Sequence, residues 1–108
     1  MVTVIVRYKT PKRYTTEEIS AILQFGAEHM FKGLPQLYSK QFCFDVESSE
    51  GVSVYLWEST EAAESFFNEQ FLESFQQGMG AVPTVEYLNT IVTVDNRAGD
   101  ILTGNTQP

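Results

Sequence analysis

Residues 52–63, VSVYLWESTEAA, contain the transition that decides the fold. Along Val52–Glu58, aliphatic side chains alternate with serine or aromatic side chains as far as Trp57, and this period of two predicts a β-strand. Its two faces carry Val52, Val54 and Leu56 on one side and Ser53, Tyr55 and Trp57 on the other. Ser59 or Thr60 then supplies a helix N-cap, so the strand is expected to run directly into a helix.

The same pattern reading extends outward to the rest of the chain. It predicts strands over Met1–Lys9, Leu37–Asp45 and Thr84–Val94, a helix over Thr16–Met30, and a second helix with a bend near Asn68. The resulting β-α-β-β-α-β order is that of a ferredoxin-like α+β fold, with a four-stranded antiparallel sheet and two helices on one face. We expect one domain over residues 1–102 and a flexible tail over 103–108.

Both faces of the predicted sheet are apolar. In the third strand, Val54 and Leu56 oppose Tyr55 and Trp57, and the first and fourth strands show a similar pattern. Helices on one side can cover only one of these faces, and an exposed apolar patch of several hundred Å² favours association. The sequence therefore predicts a homodimer in which two sheets pack face to face.

Composition and charge exclude several classes of protein. The 108 residues carry 7 basic and 14 acidic side chains, a net charge of −7, and 43% of them are hydrophobic. A nucleic-acid binder needs a basic surface, and a disordered chain lacks this apolar content. No apolar run reaches the length of a membrane span. With a single cysteine and no signal-like leader, the sequence predicts a cytoplasmic protein without a membrane or nucleic-acid partner.

The chain offers few groups for chemistry. His29 is the only histidine, and Cys43 the only cysteine, so a zinc site of the usual spacing is not expected. His29 is either a proton acceptor at the rim of a pocket or a histidine favoured by the end of a helix dipole. Arg7, Lys40 and Asn89 lie mid-strand, where they could hold an anion, pair across a dimer or lie in solvent.

Aromatic side chains are the other candidates. Tyr38, Tyr55 and Trp57 offer flat apolar area with a polar tip, which suits either a ligand cavity or a core. Phe66, in the predicted second helix, is placed beside them as a further candidate for contact with a ligand.

Three stretches resemble the YdhR-type monooxygenases of the dimeric α+β barrel superfamily, relatives of the antibiotic-biosynthesis monooxygenases. They are Pro35–Lys40, Gly51–Ala63 and Val94–Asn96, and the resemblance covers about residues 1–102. It implies a dimer whose two sheets form a barrel, with a pocket between sheet and helices in each subunit. The resemblance also implies that Ser53, Tyr55 and Trp57 line this pocket, although quinol-oxidising relatives carry asparagine where this chain has Ser53.

The resemblance implies a cofactor-independent monooxygenase that acts on a small aromatic or quinol-like substrate with no metal. In this hypothesis His29 removes a proton and Arg7 stabilises the resulting anion, while Tyr38, Ser53, Tyr55, Trp57 and Phe66 contact the substrate. The haem-degrading branch is not expected, because the stretches that would supply its iron ligand contain no histidine. The alternatives are a non-catalytic ligand-binding or stress-related dimer, and an isomerase or decarboxylase that uses proton transfer alone.

Overall fold

The computed structural model describes residues 1–104 and contains six strands, two full helices and a third short one. In chain order these are β1 (Val2–Lys9), α1 (Thr16–Gly26), a π-helical segment (Ala27–Phe31), β2 (Leu37–Asp45), β3 (Glu50–Trp57), α2 (Thr60–Phe66), α3 (Glu69–Met79), β4 (Thr84–Asn89), β5 (Val92–Asp95) and β6 (Asp100–Thr103). The predicted α+β class is confirmed.

Strands β1 to β4 form one antiparallel sheet in the order β2-β3-β1-β4, so the predicted four-stranded antiparallel sheet is confirmed. In this register Tyr55 lies opposite Val4 on one side and Lys40 on the other. A β-bulge interrupts the pairing between Leu37 and Ser39 at the start of β2. The central positions of β1 and β3 explain why their alternate side chains are the most deeply buried of the sheet.

Side-chain caps fix where the helices begin. Thr15 and Glu18 form a capping box at α1, in which each side chain accepts a hydrogen bond from the other residue's backbone N–H. Ser59 caps α2 by accepting from the N–H of Ala62. The predicted bend near Asn68 is confirmed, since α2 ends before it and its side chain caps α3 by accepting from Phe71.

The first helix ends differently from the prediction. It was expected to continue as one regular helix to Met30, but after Gly26 the chain widens into a π-helical turn that reaches Phe31. The N–H of Lys32 donates to the carbonyl of Ala27, a bond that spans five residues instead of four. This wider turn directs the side chains of Met30 and Phe31 into the space between the helices and the sheet.

One face of the sheet carries the core. Alternate residues of β1 and β3 are buried there together with residues of α2 and the α2–α3 junction: Val2, Val4, Val6, Tyr55, Trp57, Ala62, Ala63 and Phe67. On the opposite face Val52, Val54 and Leu56 are half-buried, while Arg7 and Glu86 are exposed. Gly51 lies in β3 against the ring of Tyr8, which occupies the space that a side chain at Gly51 would need.

The predicted fourth strand is divided in two. β4 ends at Asn89, and β5 turns away to pair with β6 in a separate hairpin that the sequence analysis missed. Thr103 therefore lies in a strand, and the N–H of Gly104 donates to the carbonyl of Ile91. The rest of the predicted tail, residues 105–108, lies outside the described residues. Within residues 1–104, no helix is long and apolar enough to cross a membrane.

Candidate functional site

A cavity of about 280 Å³ lies between the helices and the core-bearing face of the sheet. The residues around it come from α1, the π-helical segment, β2, β3 and α3. Six of them are aromatic: Phe25, Phe31, Phe42, Tyr55, Phe71 and Phe75. Among the residues that the structure describes, Lys40 and Tyr55 are its only ionisable lining groups. We call this space the helix–sheet cavity.

Other depressions have larger volumes, and like the helix–sheet cavity they open to the surface. One of about 470 Å³ is lined by Arg7, Cys43 and neighbouring residues at one end of the sheet, and another of similar volume lies between α1 and the end of β2. Charged and hydroxyl side chains contribute to both, and neither is enclosed by the two helices. Binding sites for small molecules are typically concave and mostly apolar with a few polar groups, which describes the helix–sheet cavity best.

Lys40 is the basic side chain that lines this cavity. The residue lies in β2, and its amine is 3.5 Å from the ring centroid of Phe31, 3.8 Å from that of Phe42 and 4.4 Å from that of Tyr55. These distances are well inside the range of cation–π contacts. Among residues 1–104 the ion pairs are Arg7–Glu86 and Arg97–Asp95, so no carboxylate pairs with Lys40.

Burial changes the proton affinity of both ionisable groups. It lowers the pKa of Lys40 from 10.5 to about 6, because the charged form loses its hydration. It raises the pKa of the Tyr55 hydroxyl, which therefore stays protonated at neutral pH. The helix–sheet cavity thus combines a neutral or readily protonated amine with a neutral phenol.

The predicted ligand-contacting residues of β3 lie on the core-bearing face. Tyr55 lines the helix–sheet cavity, whereas Ser53 and Trp57 are buried beside it and do not line it. The Tyr55 and Trp57 rings stack with centroids 6.1 Å apart, and Phe66 packs against the indole at 5.2 Å. The indole Nε1 of Trp57 is buried and has no hydrogen-bond partner among the described residues.

The structure does not bring Arg7, His29 or Tyr38 to this cavity. Arg7 lies on the opposite face of the sheet, where its guanidinium bonds Glu86 at 2.9 Å with both side chains about half exposed. His29 is exposed at the π-helical segment and packs on the ring of Phe25 at 4.2 Å. Tyr38 is 52% exposed and lies near Met1 and Leu102.

Sequence reasoning placed Lys40 among the mid-strand polar groups without choosing it for the site. The signal was present, because alternation along β2 puts Lys40 on the same face as Phe42 and Phe44. A lysine on the same strand face as two phenylalanines indicates a cation among aromatic rings. Phe31 was missed for a different reason: only the π-helical turn brings its ring to the amine.

No group of three or more potential metal ligands (histidine, cysteine, aspartate or glutamate) occurs within residues 1–104. A comparison with protein-family models gave no match, and a comparison with curated proteins gave none either. The resemblance to the YdhR-type monooxygenases therefore stays a prediction from the residues quoted above.

Proposed function

We propose that the protein binds a small aromatic molecule in the helix–sheet cavity and oxidises it with dioxygen, without a metal or organic cofactor. The observation that supports this best is the lining itself: six aromatic rings line the space, together with the amine of Lys40 and the hydroxyl groups of Tyr55 and Ser74. Aromatic ligands pack well against such rings in offset and edge-on arrangements.

The size of the cavity limits the substrate. An apolar cavity of about 150 Å³ accepts benzene, so a volume of about 280 Å³ suits two or three fused rings. This is close to the lower limit of about 300 Å³ for ligand sites. We therefore expect naphthol-like or anthrone-like compounds and not larger polycyclic ones.

The proposed oxidation needs few catalytic groups from the protein. An electron-rich phenolate or enolate can itself reduce dioxygen, so that an activated CH2 group and O2 give a carbonyl group and water. The two hydrogens and the electrons come from the substrate, and no external reductant is needed. The protein must hold the substrate, exclude water and favour the anion over the neutral phenol.

The second candidate function is ligand binding without turnover. The position of Arg7 and His29 favours it, because neither of the groups predicted to move a proton or to hold an anion lines the cavity. In this alternative the same rings bind the same class of molecule, and dioxygen plays no part.

Binding and oxygen uptake measured together test the proposal and separate it from the alternative. Anthrone and 2-naphthol are suitable probes, and Trp57, the only tryptophan, reports binding by fluorescence. Gly78 lines the cavity, and a Cβ added there meets no atom within 4 Å, so Gly78→Leu should fill the space without moving the backbone.

We expect wild-type protein to bind these probes and to consume oxygen with anthrone, and Gly78→Leu to lose both. Gln77→Leu, an exposed neighbour in α3 outside the cavity, is the matched control and should keep both. Binding without oxygen uptake above background would leave the non-catalytic alternative. Absence of binding would overturn both.

We further propose that the fold is of the ferredoxin-like type and that two copies join through the outer face of the sheet. The strand order β2-β3-β1-β4 and the half-buried Val52, Val54 and Leu56 support this. The β5–β6 hairpin adds to the apolar surface, since Val94 and Ile101 are 62% and 69% exposed. An isolated two-stranded hairpin is only marginally stable in water, so it needs a partner surface.

Sedimentation tests the dimer. One chain has a mass of 12.2 kDa, and the proposal expects twice this value at micromolar concentration. Val54→Glu should shift the equilibrium to the monomer, whereas Gln77→Glu, at an exposed position of α3 on the helix side of the sheet, should leave it unchanged. A wild-type protein that sediments as a single chain would refute the proposal.

A further inference from the structure

Lys40 is out of place in a cavity that only has to hold an apolar molecule. Its amine is surrounded by rings, and within residues 1–104 it has no carboxylate partner. We infer that Lys40 makes the helix–sheet cavity a site for small aromatic anions, with the ammonium group bound to a phenolate or carboxylate oxygen of the ligand. This inference rests on the proposed function, because it names the charge of the ligand that the cavity takes.

Two opposing effects act on the amine. The faces of the Phe31, Phe42 and Tyr55 rings attract a cation, since the π-cloud is negative, and they favour the ammonium form. Loss of hydration opposes the charge and lowers the pKa of Lys40 to about 6. An anionic oxygen beside the amine adds the missing counter-charge and brings the ammonium form back.

The other side chains that line the cavity favour a ligand that is apolar apart from its one anionic group. Apart from Lys40 and the Tyr55 hydroxyl, the side chains around the cavity are apolar, with Ser74 as the one further polar group. A second charge on the ligand would therefore be buried without a partner, which is strongly unfavourable. The site thus fits an aromatic molecule with one anionic group.

Because the net charge of the chain is negative, affinity for an anion depends on its contact with the Lys40 amine. At −7, the protein does not attract anions from a distance. Affinity for an anion must then come from the amine itself, and one substitution should remove it.

Binding of an anion above the pKa of Lys40 must be accompanied by proton uptake. The titratable groups that face the amine are Tyr55, on β3, and none from the helices, whose lining side chains are uncharged. Because burial raises the pKa of Tyr55, its hydroxyl stays protonated in both states. Lys40 is therefore the group that gains the proton.

Isothermal titration calorimetry at pH 6 and pH 8 tests the inference with 2-naphthoate and its uncharged analogue 2-naphthalenemethanol. Titrations at pH 8 in phosphate and in Tris separate the heat of binding from the heat of buffer ionisation. We expect a measurable fraction of a proton to be taken up per naphthoate and none per naphthalenemethanol. A hydrogen bond to a charged group favours naphthoate about 10- to 100-fold where the amine is already protonated. The preference should therefore be largest near pH 6 and decrease towards pH 8, because the amine must then first take up its proton.

Lys40→Met should remove the preference and the proton uptake while it retains affinity for naphthalenemethanol. Lys9→Met, at an exposed position in β1 outside the cavity, is the matched control and should behave as wild type. Equal affinity of wild-type protein for the two probes near pH 6, or naphthoate binding without proton uptake at pH 8, would overturn the inference and leave the proposed function standing. If neither probe binds, both fall.

Discussion

Replacement of Lys40 by methionine should stabilise the folded protein, and by an amount that depends on pH. The amine lies over three rings with no acidic partner in the described chain, and burial lowers its pKa to about 6 from 10.5. Methionine keeps an unbranched apolar stem in the same space and has no charge to desolvate.

The magnitude follows from the two pKa values. Between pH 6 and 10.5 the unfolded chain holds a proton on Lys40 that the folded chain releases, so the free energy of unfolding rises with pH in this window. The slope is about 1.4 kcal/mol per pH unit. At pH 7 the folded amine is mostly neutral, and the cost of releasing its proton is about 5 kcal/mol. We therefore expect Lys40→Met to be more stable than wild type at pH 7 by an amount on the order of 5 kcal/mol.

Urea unfolding followed by Trp57 fluorescence at pH 7, 8 and 9 measures the difference directly. The advantage of Lys40→Met should shrink by about 2–3 kcal/mol between pH 7 and 9, because wild type gains stability over this range and the variant does not. Every other titrating group is common to both proteins and cancels. Lys9→Met should show no such trend, since that side chain is exposed. A constant difference between Lys40→Met and wild type from pH 7 to 9 would refute the reasoning, since it would mean that the amine stays charged when buried.

Three further substitutions test how the fold is held together, each by thermal or urea unfolding. Gly51→Ala should lower the free energy of unfolding by about 1–3 kcal/mol, because the added methyl group meets the Tyr8 ring. An unchanged free energy of unfolding would contradict this packing. Gly26→Ala should stabilise by about 0.5–1 kcal/mol, since Gly26 is helical and open space surrounds its Cβ position. Asn68→Ala should cost about 1 kcal/mol through loss of the α3 cap, and an unchanged midpoint would show that the cap contributes nothing.

Local patterns were enough to predict most of the regular structure. Alternation placed β1, β2 and β3 within a residue or two, and the drift of the phenylalanine stripe correctly predicted the break at Asn68. The β5–β6 hairpin was missed because Thr84–Val94 was interpreted as one strand, although the consecutive polar residues Asn89 and Thr90 interrupt the alternation where β4 ends. The hairpin forms through pairing with residues 100–103, a contact that a local pattern does not contain.

The candidate site was predictable only in part, for the same reason. The aromatic residues of β3 were expected on one face, and Tyr55 does line the cavity. Arg7 and Lys40 were similar as mid-strand cations, yet Arg7 lies on the outer face beside Glu86 and Lys40 faces the rings. The alternation of each strand distinguishes them once the core-bearing face is known. The rim position was one of the two interpretations of His29 and assumed a regular helix, whereas the π-helical segment Ala27–Phe31 leaves its side chain exposed.

The stability and ligand arguments for Lys40 have one physical origin. A residue with a structural role alone would be apolar here, since an unpaired buried amine lowers the free energy of unfolding. The same desolvation that destabilises the empty cavity makes the amine respond strongly to an anion, because the ligand restores the counter-charge where water cannot screen it. If the ammonium and the anion bind each other, an aromatic carboxylate should raise the melting temperature of wild type more than that of Lys40→Met. The two proteins should then approach the same stability in the complex, although the variant is the more stable of the two when free.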